Sequence, residues 1–391
     1  MIKKKWWSLT SLALGVTMVA GLVAGCGGSP SATESKDIKI GGNFELTGGV
    51  ATFGQSAANG IKLAFKEINA GGGVLGKQLV FVAADNKSEP SESTNATTKL
   101  ITQDKVVAIL GAVASTNTLA AVQVASDNKI PLITPTSTNP KVTVDNGKVR
   151  DWVFRSCFID PFQGQVMASF AQKTVKAKTA AIYIDSSSDY SKSLSQNFEQ
   201  VFVKNGGTIV AKEAFLQKDQ DFKAALTKIK SVNPEVIYIP AYYEEVGKII
   251  KQARELGITV PLLGSDGWDS PKLAEIAGAA ALNDTFFTNH YSAQDKDPMV
   301  QKFVESYKKE YGQEPDAFAV LGYDGALMMI DAIKRANSTD SVKIKDALAQ
   351  TKDLKVLTGT LSLDANHDPI KSAVIIEMKD GKQTFKEKVN P

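Results

Sequence analysis

From Ile38 onward, short β-branched runs alternate with amphipathic stretches of 12 to 18 residues. This alternation restricts the fold more than any other feature, because a strand followed by a helix long enough to cross back over it yields parallel pairing. Residues 38–44 read as the first strand. Residues 54–69 follow as a helix, with Ala57, Ile61, Ala64, Phe65 and Ile68 at helical spacing. The pair repeats as strand 78–84 with helix 91–102 and strand 106–110 with helix 116–127, and a short strand follows at 130–133. A second series starts after 152–155. It runs helix 162–175, strand 179–184, helix 190–204, strand 208–212, helix 222–230, strand 235–239, helix 245–256 and strand 260–263. Helices at 298–311, 318–336 and 341–351 and a strand at 373–378 are too few for a third domain and are expected to complete the two series. The expected fold class is α/β, with two doubly wound parallel-sheet lobes and a cleft at the carboxyl ends of both sheets, where ligands of open α/β sheets bind.

The chain of 391 residues, 43% hydrophobic and 22% charged, is long enough for two such lobes. Its formal charge is +3, but Lys3, Lys4 and Lys5 lie in an acid-free leader, and without them basic and acidic residues balance. A neutral chain has no long-range field to attract a phosphate backbone, so nucleic acid is not an expected partner. Cys26, Cys157, His290 and His367 are scattered without ligand spacing, so neither a metal site nor a cofactor is expected.

Residues 1–25 combine a basic cluster, an apolar run and small residues, and read as a signal peptide. Val23-Ala24-Gly25-Cys26 matches the lipobox of bacterial lipoproteins, which would leave Cys26 as a lipidated N-terminus. The alternative is an uncleaved anchor; both tether the chain outside the cytoplasmic membrane. Residues 26–37 are small and polar and read as a flexible, lipidated tether. Cys157, left without a partner, is expected to be a small buried residue.

Gly71-Gly72-Gly73-Val74-Leu75-Gly76 fits the pattern G-x-G-x-x-G, but it follows a helix and precedes a strand, the reverse of a phosphate-binding loop. It reads as a helix end and turn. There is no G-x-S-x-G and no H-E-x-x-H, and an enzyme is not expected. The informative segments are polar loops at strand ends. Residues 111–118 place Ser115 as a helix N-cap, and the N–H groups of that first turn plus the hydroxyl make a receptor for a carboxylate. Residues 134–140 supply more hydroxyls beside it. In the second series, 237–243 ends in aromatics and 262–269 carries Asp266, an acid suited to an ammonium. Trp268 reads either as a wall of the site or as a plug beneath the loop.

Taken together, Leu46-Thr47-Gly48-Gly49, Phe53-Gly54, the segments 60–64 and 68–72, the loops 111–115 and 135–140, and 251–257 resemble the branched-chain amino-acid type of periplasmic binding protein. These are the solute receptors of ABC importers, with the type I fold of two lobes joined by a three-crossing hinge. The resemblance implies ligand contacts from Ser115, Thr116, Thr136 and Thr138 in the first lobe and from Tyr190, Tyr242 and Asp266 in the second, with Phe53 near the side-chain pocket. Asp266 stands where leucine-binding members have Glu, and Trp268 makes the wall bulkier. It also implies a monomer that closes on a small amino acid and delivers it to a membrane permease. The expected lobes are 38–157 plus about 290–355 and 158–289 plus about 356–391, with hinge positions near Cys157, His290 and Val356. An amide, urea or an aromatic acid as ligand, a sensor role, and an exported hydrolase using Asp266 or Asp269 as base remain as alternatives.

Overall fold

The computed structural model describes residues 37–391, so the leader, Cys26 and nearly all of the tether lie outside the described residues. The first series of alternations builds a parallel sheet. β1 (Asp37–Phe44) leads through α1 (Ala51–Ala70) to β2 (Gln78–Asp85), and α2 (Pro90–Thr102) carries the chain across to β3 (Ala108–Gly111). After α3 (Ser115–Asp127) and β4 (Leu132–Thr134), a small ribbon of β5 (Val144–Asp145) and β6 (Lys148–Val149) precedes the last strand, β7 (Val153–Arg155). The strand order is β2-β1-β3-β4-β7. The direction of winding therefore reverses between β1 and β3, which leaves a crevice at their carboxyl ends.

The second series repeats this plan. It consists of α4 (Asp160–Lys173), β8 (Thr179–Asp185), α5 (Asp189–Lys204), β9 (Thr208–Phe215), α6 (Lys223–Ser231), β10 (Val236–Tyr238), α7 (Tyr243–Glu255), β11 (Leu262–Gly264), α8 (Pro271–Ala277) and β12 (Thr285–Asn289). The chain continues through α9 (Pro298–Tyr311), α10 (Ala317–Ala336), α11 (Ser341–Ala349) and a ribbon of β13 (Leu354–Val356) with β14 (Gly359–Leu361). It ends in β15 (Ala373–Lys379) and β16 (Lys382–Val389). The second sheet has the order β16-β15-β12-β11-β10-β8-β9, with its reversal between β8 and β10.

This sheet departs from the sequence expectation in two ways. β12 was not anticipated as a strand: all five of its residues are buried, so it lacks the alternation that marks a half-exposed strand. β15 and β16 run antiparallel to their neighbours, so the sheet is mixed rather than purely parallel. β16 is rich in lysine and largely exposed, which suits a sheet edge that must not pair with another chain.

The returning helices complete the first sheet's cover. α10 lies against α1 at a crossing set by glycines. A Cβ on Gly60 would fall 2.0 Å from the Ala319 carbonyl oxygen, and one on Gly322 would fall 2.2 Å from that of Ala57. This close approach brings the start of α10, with Phe318, to the crevice between the sheets. The glycine-rich loop after α1 is a helix end and turn, with the Gly73 N–H bonded to the Ile68 carbonyl.

Candidate functional site

The carboxyl ends of the two sheets face each other across a cavity lined by Val113, Ser115, Thr136, Tyr190, Tyr242, Asp266, Gly267 and Phe318. Its free volume is about 10 Å³, roughly that of one water, so the side chains have closed on it.

On the first-sheet side, Ser115 is the first residue of α3 rather than its cap. Ala114 occupies the cap position and makes no side-chain cap bond. Glu45, which follows β1, supplies what the cap lacks. Its buried carboxylate accepts the N–H groups of Val113 and Ala114, both at 3.0 Å, and the Asn117 amide at 2.9 Å. Burial pushes the Glu45 carboxyl up, against these three donors that favour its charge. The N–H groups left for an anion are then those of the first turn itself, Ser115 and Thr116, together with the Ser115 hydroxyl. Ser115 Oγ meanwhile accepts the Asn139 N–H at 3.4 Å.

Thr136 and Thr138 lie on the adjoining loop. Thr136 Oγ1 donates to the Val113 carbonyl at 3.0 Å, tying the two loops together. Thr138 is fully buried and its hydroxyl lacks a well-aligned partner, as do both carboxylate oxygens of Asp160, whose N–H bonds to the Thr138 carbonyl. Burial pushes the Asp160 carboxyl up to about 7, with Asp266 adding repulsion and the Thr138 and Ser193 hydroxyls working the other way. Arg155 fixes the same loop from beneath: its guanidinium donates to the carbonyls of Ser137 and Asn139 and is paired with Asp368 at 2.5 Å.

On the second-sheet side, Asp266 has both oxygens engaged. Oδ1 accepts the Tyr190 hydroxyl at 2.5 Å and Oδ2 lies 2.9 Å from His290 Nε2. Its own N–H donates to Gln163 Oε1 at 2.8 Å. Burial pushes the His290 imidazole down although Asp266 pulls it up, so the ring is neutral at pH 7 and donates from Nε2. Tyr190 stacks on Tyr242 at 4.9 Å and 8°, placing two phenol rings side by side at the cavity. Burial and the Asp266 charge push the Tyr190 hydroxyl well up, so it remains a donor.

Three expected contacts fall elsewhere. Trp268 is a plug rather than a wall: it is fully buried under the loop, with its indole N–H on the Ile239 carbonyl at 3.0 Å. Phe53 sits behind the cavity, stacked on Phe318 at 3.8 Å and touched edge-on by Tyr242, so Phe318 is the ring that lines the space. Thr116 points toward the other sheet's elements, where its Oγ1 accepts the Asp189 N–H at 3.1 Å. Sequence reading missed Glu45, Asp160, Gln163, His290 and Phe318. A lone Glu at the end of the first strand and the dipeptide Asn289-His290 were visible, but their partners lie far away in sequence.

Further bonds join the two halves. Thr52 Oγ1 and Ser270 Oγ are 3.0 Å apart, and Lys218 pairs with Glu89 at 2.8 Å on the surface. Asp269 accepts the Ala317 N–H at the start of α10 at 2.8 Å as well as the Asn289 amide at 2.9 Å. Cys157 is buried, and burial pushes its thiol up to about 12, which makes it inert. Among the described residues, no group of three His, Cys, Asp or Glu side chains is placed to hold a metal ion.

The sequence profile of the family described as periplasmic binding protein matches residues 37–383. The chain belongs to the periplasmic binding protein family. It is 32% identical over 348 residues to "Leu/Ile/Val-binding protein homolog 3" of Brucella melitensis, a match covering 88% of this chain and 92% of that one. Among solved structures it is similar to the leucine binding protein LivK of Thermotoga maritima, with 42% identity, a TM-score of 0.86 and coverage of 90% and 99%. It is equally similar in fold to the branched-chain amino acid substrate binding protein LivJ of Streptococcus pneumoniae in complex with isoleucine, at 39% identity, TM-score 0.86 and coverage of 91% and 100%. Membership fixes the type I fold, with two α/β lobes around a cleft, and makes this a solute-binding protein rather than an enzyme. Proteins of this family work outside the cytoplasm.

Proposed function

We propose that this periplasmic binding protein captures a small α-amino acid, branched-chain in type, between its lobes and delivers it to an ABC importer. The observation that carries the reading is the pairing of opposites across one cavity. Asp266 faces the first turn of α3, where Ser115 adds a hydroxyl and no basic side chain competes. A zwitterion fits that polarity, with its carboxylate on the helix end and its ammonium near Asp266, Thr138 and Asp160. Tyr190, Tyr242 and Phe318 would enclose an apolar side chain. Thr136 fixes the loop between them. The likeness to a leucine binding protein and to an isoleucine complex supports the same class of ligand.

The lobes are taken as 38–157 with about 290–355, and 158–289 with about 356–391, bending near Cys157, His290 and Val356. Lipid on Cys26 would hold the monomeric receptor near its permease. The cavity's three aromatic rings also suit a second reading, an aromatic acid, which needs no partner for an ammonium.

The test is thermal melting of protein freed of carried-over ligand by unfolding and refolding, screened with the twenty amino acids, amides, urea and aromatic acids. A ligand at one hundred times its dissociation constant adds about 2.7 kcal/mol, a shift of several degrees. Stabilisation by leucine, isoleucine or valine that Asp266→Asn abolishes supports the proposal. Stabilisation by an aromatic acid alone, kept in Asp266→Asn, supports the second reading. No shift with any amino acid overturns the first.

A further inference from the structure

Several bonds run between the two lobes and involve no ligand group. The most concentrated set surrounds Asp189, the first residue of α5, which belongs to the second lobe and precedes Tyr190. Both polar backbone atoms of Asp189 are taken by first-lobe side chains. Its N–H donates to Thr116 Oγ1 at 3.1 Å, and its carbonyl accepts Asn139 Nδ2 at 2.9 Å. Both bonds are partly buried, so water competes for them less than on an open surface.

The two first-lobe partners are themselves fixed. Thr116 stands on the first turn of α3, which Glu45 anchors through Val113, Ala114 and Asn117. The amide of Asn139 can present only its nitrogen to Asp189, because its Oδ1 already accepts the Lys141 N–H at 2.9 Å. Its carbonyl is held by Arg155 at 2.9 Å. The pincer therefore comes from the same two loops that line the cavity, yet neither Thr116 nor Asn139 lines that cavity.

We propose that Thr116 and Asn139, gripping the backbone of Asp189, form a latch that keeps the lobes together without ligand. The inference rests on the reading of two hinged lobes and not on which ligand they bind. Its consequence is that part of the closing free energy is written into the chain. The latch then scales the affinity for every ligand by the same factor, because closing the lobes is a step common to all of them. It also seats Tyr190, and through its hydroxyl Asp266, before a ligand arrives.

The test needs no ligand in its first arm. Small-angle X-ray scattering of ligand-free wild type is compared with Thr116→Val, which keeps the shape of the side chain and removes the acceptor, and with Thr116→Ser, which restores it. Asn139→Ser retains an oxygen able to cap the following turn and removes the amide nitrogen that reaches the Asp189 carbonyl. Wild type and Thr116→Ser are expected to be compact, and Thr116→Val and Asn139→Ser to be expanded, with the closed-to-open ratio reduced about threefold to tenfold by each lost bond. In the second arm, the affinities for leucine and for alanine fall by the same factor in Thr116→Val. Ligand-free wild type as expanded as Thr116→Val, or a Thr116→Val that scatters like wild type, overturns the latch. Unequal loss for the two amino acids overturns it as well, since a latch between the lobes cannot tell one ligand from another. Failure of all amino acids to bind would sink the proposed ligand class and leave the scattering result standing.

Discussion

His290 Nε2 lies 2.9 Å from Asp266 Oδ2, and the imidazole stacks on Phe158 at 3.7 Å and 18°. The acid of the cavity is thereby bonded to the segment that follows β12 and, through the ring, packed on the segment between β7 and α4. Burial keeps the histidine neutral, so its folded pKa lies below the unfolded value near 6.5. The folded state then binds fewer protons than the unfolded state between those two values. Stability from this residue is fully present above pH 6.5 and is lost as pH falls toward the folded pKa. His290→Asn, which can still donate to Asp266, is expected to flatten this acid limb in urea denaturation measured from pH 7 to pH 5. A mutant with the wild-type slope would mean that other groups control it.

Asp160 predicts the opposite trend. Its carboxyl is pushed up to about 7 from an ordinary value of 3.8, so the folded state holds a proton that the unfolded state has released. Its contribution to stability declines as pH rises between those values, because ionising it leaves a buried charge without a well-aligned partner. Asp160→Asn should therefore exceed wild type in melting temperature by more at pH 8 than at pH 5, in the absence of ligand. In the presence of leucine the ranking at pH 8 is expected to reverse, because the ammonium that would compensate the charge loses its partner. Equal melting differences at pH 5 and pH 8 would show that Asp160 is ionised throughout.

Glu45 shows how much of the site depends on contacts that sequence patterning cannot display. Its partners Val113 and Ala114 are 68 and 69 residues away. Glu45→Gln keeps one acceptor but turns an amide N–H₂ toward a backbone N–H, leaving a buried donor facing a donor. A loss of about 1 to 3 kcal/mol is expected, together with weaker leucine binding, because the first turn of α3 is no longer held. Urea denaturation and calorimetric titration measure the two effects separately. Unchanged stability would mean that the loop finds other partners.

The elements themselves were readable because they depend on local periodicity. α9 over Pro298–Tyr311 matches its expected bounds, and the strand ends bearing Ser115, Tyr242 and Asp266 follow from the alternation. β12 escaped because complete burial erases alternation, and β16 because its lysines resemble a solvated loop. Phe318 could not be assigned to the cavity, since its place depends on the α1 and α10 glycine crossing. Thr116 was assigned to a ligand, whereas its hydroxyl meets the Asp189 backbone, a partner 73 residues away.

Trp268 was ambiguous for a more local reason: the direction of an indole in a loop depends on what stands beneath it. Here Gly264 leaves the room. A Cβ at that position would lie 2.1 Å from Trp268 Cε2 and 2.3 Å from Cδ2, so the indole can lie over the end of β11 and reach the Ile239 carbonyl. Gly264→Ala is expected to destabilise the protein by about 1 to 3 kcal/mol, the usual effect of overpacking a filled core. It should also weaken ligand binding, because the displaced indole sits two residues after Asp266. Trp268→Leu alone opens a cavity and is costly too. If the clash is with the indole, the double variant costs less than the sum of the two single changes, and a denaturation cycle reads that coupling directly. Additive losses would mean that Gly264 is required for a reason other than the space it leaves for Trp268.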